Sequence, residues 1–389
     1  MTGFRARIDY ILKHYKTPYL MYKYLFSWFF RFIGVFIPIK EKTILFTGHG
    51  RHYNDSSRAI YEYMLAQKKY QAYHYIWALD NPDEIKIPGN CQVIKSDTWK
   101  YFTMALSCQY WVSCVNIERG LKFKKRKTRY LNTWHGTPIK SISNTDARTD
   151  DNFSYIDLFC VAGEYEKKQF KKAFSVREDH LLFTGLPRND ELYYVTKEQI
   201  DLLRKSPSIP PNKKVLLYAP TWRDSVDSGT SYTLAPPINF KKWEEKLSDK
   251  YVLLLRTHPY TNKLMNVQFN DFVRDVTSYP QINDLLMISD ILISDYSATI
   301  FDFSILERPI ICFGYDIEEY ANSRGFALDP SEEVPGGVLK TEDEVLYRIV
   351  NCNYEKESAM TRSFKNKYLE YGGHARKQCV EALLNEEKA

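Results

Sequence analysis

Short apolar runs recur along the chain, and most of them end at a glycine, a proline or a polar turn. Between these runs lie segments whose apolar residues recur at helical spacing. Short runs bounded by turn residues are typical of buried strands, and strands that alternate with helices predict βαβ units and parallel sheets. The predicted strands of the first half are Thr43–Thr47, Tyr73–Leu79, Gln92–Lys95, Tyr110–Val115, Tyr130–Trp134, Leu158–Ala162 and Leu181–Thr184.

The same alternation resumes after residues 205–214 (KSPSIPPNKK), which are rich in proline and lysine and are typical of a linker. The predicted strands of the second half are Val215–Ala219, Tyr251–Arg256, Ile291–Ser294 and Pro309–Phe313, and its predicted helices include Ile282–Ile288 and Ala298–Leu306. We therefore expect an α/β protein with two Rossmann-like domains facing across a cleft. The predicted boundaries are 1–42 for an N-terminal segment, 43–204 for the first domain, 205–214 for the linker and 215–389 for the second domain.

Residues 1–42 carry eight basic side chains against two acidic ones, together with a run of aromatic residues. Lys23 and Arg31 interrupt the apolar run, so a spanning helix is a poor fit and a signal peptide is not indicated. The pattern favours an amphipathic helix in the headgroup layer of an anionic membrane. A helix docked on the protein's own core is the alternative. The basic cluster at 122–129 is interpreted as a second contact with anionic lipid or polymer, or as a solvated loop.

The composition is that of a folded protein, with 44% hydrophobic and 26% charged residues. The seven cysteines form no CxxC pair, which indicates free thiols in a reducing cytoplasm. The basic clusters come without a nucleic-acid-binding motif, so we predict no nucleic acid partner. The sequence also has no phosphate-loop motif and no acidic pair suited to a divalent metal. We therefore predict a metal-free enzyme without a resident cofactor.

His135 lies in the segment Asn132–Pro138 (NTWHGTP), directly after a predicted strand. Gly136 allows close approach of backbone or substrate, and Thr137 is positioned to cap a helix that Pro138 opens. An imidazole at a strand end suits a general base that acts on a hydroxyl. We assign His135 as a catalytic candidate, with Gly136 and Thr137 on the acceptor side. A purely structural histidine is the alternative.

The segment Asp290–Asp302 (DILISDYSATIFD) combines a short strand, a hydroxyl-rich turn and the start of a helix. A helix start offers N–H donors, and the hydroxyls beside it complete a possible site for a pyrophosphate. Asp302, one turn into the helix, can accept from a ribose or alcohol hydroxyl. An ordinary helix cap is the alternative. The donor-binding candidates of this segment are Asp295, Ser297, Ala298, Thr299 and Asp302.

Basic side chains follow several other predicted strands. Arg256 and His258 lie in one turn (RTHP), where both can face phosphate and stabilise charge on a transferred group or a leaving pyrophosphate. Arg223 and Arg188 are further cationic candidates, on the donor and the acceptor side respectively. For each arginine, an ion pair at the surface or at a domain interface is the alternative interpretation.

Taken in order, the motifs resemble one known family. They are WHGTPIK, GLPRND, YAPTWR, RTHP, SDYSATIFDF followed by RPIICFGYD, and PGGVLKTEDEV. From about residue 43 to about residue 385 they resemble the CDP-glycerol:poly(glycerophosphate) glycerophosphotransferase family of teichoic acid synthesis. The resemblance implies a B-type glycosyltransferase fold. It also implies a peripheral enzyme at the cytoplasmic face of the cell membrane, which moves an alditol phosphate from a CDP donor to a lipid-linked saccharide or polyol-phosphate acceptor and releases CMP.

The resemblance also implies roles for individual residues. The WHGT histidine, His135, is expected to deprotonate the acceptor hydroxyl, and the RTHP histidine, His258, to contact the donor phosphates. Ser297, Ala298, Thr299 and Asp302 are expected to bind the CDP moiety. Ala298 stands where the family often has a second serine, which puts one hydroxyl contact in doubt.

Several functions stay open at the level of the sequence. Glycerol phosphate transfer from CDP-glycerol is the leading prediction, and ribitol phosphate transfer from CDP-ribitol is the nearest alternative. A nucleotide-sugar glycosyltransferase on the same fold and a non-catalytic scaffold are the other two classes. The sequence does not distinguish a primase from a polymerase, and it leaves the oligomeric state open, a homo-oligomer included.

Overall fold

The computed structural model describes residues 15–83, 85–142, 152–221, 236–257 and 267–385. The chain forms two compact units. Unit 1 comprises residues 1–135, 143–190 and 371–389, and unit 2 comprises residues 136–142 and 191–370. Each unit is built on its own parallel sheet. The predicted α/β class with parallel sheets is therefore confirmed.

The sheet of unit 1 has seven strands in the order β3-β2-β1-β4-β5-β6-β7. Its strands are β1 Lys40–Thr47, β2 His74–Leu79, β3 Cys91–Lys95, β4 Cys108–Ser113, β5 Arg129–Asn132, β6 Leu158–Val161 and β7 Leu181–Phe183. All neighbouring strands are parallel. The chain moves outward from β1 to β3 and then returns to the other side of β1. This reversal creates a crevice at the carboxyl ends of β1 and β4, where open α/β sheets bind ligands.

Helices cover the sheet of unit 1, and the strand sequences show why. In β1 the run Ile44–Phe46 is completely buried, as expected for a parallel strand that is covered on both faces. Phe46 packs against Trp77 of β2 and Tyr61 in the same cluster. The helices of this unit are α1 Lys16–Phe36, α2 Asp55–Leu65, α3 Trp99–Ser107, α4 Glu164–Phe174 and, at the end of the chain, α13 Ala375–Leu384.

The position of α13 corrects the predicted domain boundaries. We predicted residues 215–389 as one domain, but residues 371–389 belong to unit 1. The Asp190 carboxylate accepts the N–H groups of Ala375 and Arg376 at the start of α13. Further along the helix, Cys379 lies 3.3 Å from Cys160 of β6, sulfur to sulfur. All seven cysteines are free thiols, as predicted, and five of them are buried.

Unit 2 contains six parallel strands in the order β10-β9-β8-β11-β12-β13. The strands are β8 Lys214–Tyr218, β9 Tyr251–Leu255, β10 Val273–Asp275, β11 Ile291–Ser294, β12 Ile310–Phe313 and β13 Val338–Leu339. Its helices are α5 Lys197–Leu203, α6 Phe240–Leu247, α7 Ile282–Ile288, α8 Thr299–Ser304, α9 Ile317–Ser323, α10 Pro330–Glu333, α11 Glu342–Val350 and α12 Tyr354–Tyr368. The order reverses between β8 and β11, so this sheet has a crevice of the same kind.

Two local predictions are wrong. The proline-rich segment 205–214 is not a linker between the units, because it lies inside unit 2, where Arg204 donates to the carbonyls of Pro210 and Lys213. Thr137 does not cap a helix, because residues 136–142 are not helical. Lys140 forms an antiparallel bridge with Phe326 instead. That pairing satisfies backbone groups of the segment in an extended conformation, which overrides the local helix-start pattern.

Helix α1 packs on α3 with an unusual distribution of polarity. The residues it buries are Lys23, Ser27, Phe30 and Gly34, which lie on one helical face. Phe30 stacks on Phe102 of α3 at a centroid distance of 4.5 Å. The opposite face is apolar and exposed, with Trp28 64% and Val35 79% exposed. In the part of the chain that the structure describes, no helix is long and apolar enough to cross a membrane.

Candidate active site

The loops that follow four strands of unit 1 bring polar groups to one edge of the sheet. His49 follows β1, Cys114 follows β4, His135 follows β5 and Arg188 lies after β7. Because the strands are parallel, their carboxyl ends meet at the same edge. Two of these residues, His135 and Arg188, were predicted from the sequence, and the structure brings them into direct contact.

The ring of His135 is fixed in one orientation. Its Nδ1 lies 3.0 Å from the carbonyl oxygen of Cys114. Since a carbonyl can only accept, Nδ1 carries the hydrogen and Nε2 carries the lone pair. Burial, with smaller contributions from His49 and Arg188, lowers the pKa of His135 to about 4. The imidazole is therefore neutral at pH 7, with a basic nitrogen in a defined tautomer.

An ion pair between Arg188 and Asp55 contacts the backbone carbonyl of His135. Arg188 Nη1 lies 2.8 Å from Asp55 Oδ2, and each side chain is only 12% exposed. The same Nη1 donates to the carbonyl oxygen of His135 at 3.0 Å. Burial raises the pKa of Asp55, but Arg188 and the N–H of Ser56 lower it by more, so the pKa lies below its ordinary value. Asp55 is therefore a carboxylate at neutral pH.

Sequence reasoning did not assign a role to Asp55 or His49. The His49 and His135 rings lie 4.9 Å apart, centroid to centroid. His49 lies in the loop after β1, and Asp55 is the first residue of the helix that follows this loop. The carboxyl end of β1 borders the crevice, and that position was the available signal. The same loop needs Gly48, because a Cβ there would lie 2.2 Å from the His52 carbonyl oxygen.

In unit 2, the strand order reverses between β8 and β11, and the side chain of Asp295 links the ends of these two strands. Its Oδ1 accepts the N–H of Thr221, which follows β8, at 2.8 Å, and the N–H of Tyr296 at 2.7 Å. Asp295 is buried. The predicted donor-binding residue Asp295 therefore holds two strand ends together, so its side chain shapes the crevice.

The turn after Asp295 carries the predicted hydroxyl groups. Ser297 Oγ donates to Thr299 Oγ1 at 3.0 Å and accepts the N–H of Thr299 at 3.2 Å. Ala298 precedes the first residue of α8, within one residue of the predicted helix start. Because α8 has only six residues, its dipole is small. Any attraction of an anion to this turn would therefore come mainly from the nearby N–H and hydroxyl donors. Asp302 is buried one turn into this helix.

Arg256 has a structural contact that the sequence did not indicate. Its Nη1 donates to the carbonyl oxygens of Val276 at 3.2 Å and Tyr279 at 2.6 Å. Burial lowers the pKa of the guanidinium, which nevertheless stays charged. Arg256 thus anchors the segment that follows β10. The other two predicted cationic residues, Arg223 and His258, lie outside the described residues.

Among the residues that the structure describes, no group of three or more His, Cys, Asp or Glu side chains is arranged to hold a metal ion.

The profile of the CDP-glycerol:poly(glycerophosphate) glycerophosphotransferase family matches residues 29–385. The chain belongs to this family. The predicted family and enzyme class are therefore confirmed.

Relatives of this glycerophosphotransferase chain are named for teichoic acid synthesis. A teichoic acid poly(glycerol phosphate) polymerase of Bacillus spizizenii is 32% identical over 382 residues, which are 92% of this chain and 96% of the relative. A polymerase of the same name from Staphylococcus epidermidis is 36% identical over 77% of this chain, but the match spans only 44% of that longer protein.

A wall teichoic acid polymerase of known structure is also similar in fold. The wall teichoic acid polymerase TagF has a TM-score of 0.80 and 31% identity, with 90% of each chain covered. Similar structures of that polymerase include two different histidine variants, and one of these two variants was also soaked with CDPG. The likeness covers both sheets of this chain.

Proposed function

We propose that this chain transfers glycerol phosphate from CDP-glycerol to a hydroxyl of a teichoic acid acceptor and releases CMP. The observation that carries the proposal is the Nδ1 contact of His135 with the Cys114 carbonyl at 3.0 Å. This contact leaves Nε2 with the lone pair that a general base requires. Family membership supports the donor class, and the names of the relatives support the acceptor class.

In the proposed reaction, the acceptor oxygen attacks the β-phosphorus of CDP-glycerol while His135 Nε2 takes the hydroxyl proton. The bond from that phosphorus to the bridging oxygen breaks, and CMP leaves with this oxygen. The low pKa of His135 keeps the base unprotonated at pH 7. The attacking hydroxyl becomes more acidic as its new bond to phosphorus forms, so a weak base suffices at that stage.

We propose the turn at residues 295–299 of unit 2 as the site of the donor phosphates. Its position at the reversal point of the sheet and its Ser297 and Thr299 hydroxyls support this role. Asp302 remains the proposed acceptor for a ribose or alcohol hydroxyl. Because Arg256 Nη1 is engaged with backbone carbonyls, its proposed contribution is mainly the charge. The roles of Arg223 and His258 rest on the resemblance.

We further propose that the two units face each other across a cleft, as in B-type glycosyltransferases. The reaction supports this arrangement, because the proposed base belongs to unit 1 and the proposed donor site to unit 2. Both must act on the same pair of substrates. Gly136 and Thr137 directly follow the proposed base, so their proposed contacts are with the acceptor, although residues 136–142 belong to unit 2.

We also propose that the enzyme is peripheral at the cytoplasmic face of the membrane. Helix α1 exposes an apolar, aromatic face while its opposite face packs on α3. The basic cluster 122–129 lies beside it, since Lys125 Nζ donates to the Ile37 carbonyl and the Lys122 N–H donates to Ser27 Oγ. Aromatic side chains next to basic ones are typical of binding to anionic headgroups. This location would bring the enzyme to a lipid-linked acceptor.

The test is CMP release by purified protein with a lipid-linked saccharide acceptor and either CDP-glycerol or CDP-ribitol. We expect CMP from CDP-glycerol, and a rate about 10²–10⁴-fold lower in His135→Ala, the usual contribution of a general base. His180→Ala is the matched control, because the Nδ1 of His180 contacts a carbonyl too, that of Ile156. CMP from CDP-ribitol alone would replace the donor assignment. No CMP from either donor, or equal rates in both variants, would contradict the proposal.

A further inference from the structure

The mechanism above leaves the Asp55–Arg188 pair without a role. Asp55 is the first residue of α2 and has a φ of 58°, in the left-handed region that few residues other than glycine adopt. Its Oδ1 accepts the N–H of Ser56 at 2.6 Å, which leaves Oδ2 directed at Arg188. A non-glycine residue held in this sparsely populated φ/ψ region beside a crevice is often part of a functional site, so the contacts of the Asp55 side chain are relevant.

The contacts lead to the backbone of His135. Arg188 Nη1 joins Asp55 Oδ2 at 2.8 Å to the His135 carbonyl oxygen at 3.0 Å. The N–H of Arg188 also approaches Ser56 Oγ at 3.4 Å. His135 is thus held at two points, its ring by the Cys114 carbonyl and its backbone by Arg188. The neighbouring Trp134 also has a positive φ, 54°, so the turn has a restricted conformation.

The charges around His135 come from several elements. His49 and His52 lie in the loop after β1, together with the buried Arg51, which donates to the Asn116 carbonyl. The Cys114 thiol after β4 has a pKa raised far by burial and is neutral. Arg188 adds a positive charge, and Asp55 provides the opposing negative charge.

We propose that Asp55 is a positioning residue of the transfer reaction, which through Arg188 fixes the backbone of His135 and offsets the positive charge beside its imidazole. The inference rests on the proposed function, because it assumes that His135 is the base. Without the carboxylate, Arg188 loses its anchor and its charge is no longer balanced. His135 then becomes a weaker base in a less defined position.

The key variant is Asp55→Asn, which removes the charge but little of the shape. Asparagine tolerates a positive φ and its oxygen can still accept the Ser56 N–H. Arg188→Met removes the opposite charge. The matched control is Asp179→Asn, which breaks an exposed Asp–Arg pair, with Arg177, in the same unit.

The first readout is an NMR titration of the His135 imidazole without substrate, assigned by its loss in His135→Ala. In the wild type we expect a midpoint near 4. The midpoint should rise in Arg188→Met, because a positive neighbour is removed, and fall in Asp55→Asn. Asp179→Asn should not move it. A purely structural role would not produce shifts of opposite sign.

The second readout is steady-state kinetics. We expect kcat of Asp55→Asn to fall about tenfold or more, part of the 10²–10⁴-fold that a general base supplies, with KM for CDP-glycerol little changed. An unchanged titration in folded Asp55→Asn would overturn the inference, whatever its kcat. If Asp55→Asn does not fold, a failure of the Arg188→Met midpoint to rise would overturn it. A wild type without CMP release refutes the proposed function instead, since the titrations need no turnover.

Discussion

Replacing Glu118 by glutamine is expected to stabilise unit 1 at pH 8 and to leave its stability nearly unchanged at pH 5. Glu118 is only 1% exposed, and its Oε1 accepts the N–H groups of Phe123 and Lys124. The loop of residues 118–124 supports helix α1, because the ring centroids of Phe123 and Phe30 lie 5.5 Å apart. Burial raises the pKa of Glu118 from 4.5 to about 7, despite the N–H groups that favour the carboxylate.

The size of the effect follows from that pKa. A rise from 4.5 to about 7 corresponds to about 3 kcal/mol, at about 1.4 kcal/mol per pH unit. The folded protein holds the proton more tightly than the unfolded chain does, so this group favours folding at low pH. Its stabilisation is complete below pH 4.5 and is lost as the pH rises through 7. Glutamine stays neutral and still offers an oxygen to both N–H groups, so it avoids the loss.

Thermal unfolding of Glu118→Gln and the wild type at both pH values measures the difference. For a unit of this size, 1 kcal/mol shifts Tm by about 2–4 °C, so the expected gain at pH 8 is about 6–12 °C. At pH 5 the expected gain is below about 1 kcal/mol. Glu355→Gln, at an exposed position of α12, is the control and should show no pH-dependent difference. An equal gain at both pH values, or a lower Tm at pH 8, would refute the reasoning.

Two further predictions concern the loop after β1 and helix α1. Gly48→Ala is expected to lower Tm and CMP release together, because its Cβ would lie 2.2 Å from the His52 carbonyl oxygen, and unchanged values of both would refute the close packing. The double change of Trp28 and Phe32 to Ser is expected to weaken binding to phosphatidylglycerol vesicles at least tenfold, since each exposed ring can bury on the order of 100 Å². Tyr347→Ser, at an exposed aromatic residue of unit 2, is the control, and equal vesicle pelleting of all three proteins would count against a membrane role for α1.

The strands and several helices could be predicted because their signals are local. The run Ile291–Ser294 is apolar, short and bounded by turn residues, and it forms β11 with the predicted bounds. The helix Ile282–Ile288 also has the predicted bounds. The positions of His135 and Ser297 at strand ends followed from the same pattern, because a parallel sheet collects its carboxyl ends at one edge.

What the sequence could not reveal depends on contacts between distant residues. Asp55 and Arg188 are 133 residues apart, and no local pattern links them. Arg256 is a predicted phosphate ligand, and the carbonyls of Val276 and Tyr279 that engage its Nη1 were not indicated by the sequence. Residues 371–389 continued the helical pattern of the second half, although their packing partners are in unit 1. Each of these features concerns the partner of a residue rather than its secondary structure.

The low pKa of His135 has a further consequence for the proposed reaction. The value near 4 arises mainly from burial, with His49 and Arg188 lowering the pKa further and the Asp55 carboxylate raising it. In the proposed reaction, CDP-glycerol would bring negative phosphate oxygens toward the base, and a neighbouring negative charge raises the pKa of an imidazole. His135 would therefore be a stronger base when the donor is bound than when it is absent. Asp55 acts in the same direction in the free protein, since its carboxylate offsets part of the positive charge of Arg188. Donor binding and the buried ion pair would thus both act on the pKa of one imidazole, which is unprotonated at pH 7 in the free protein.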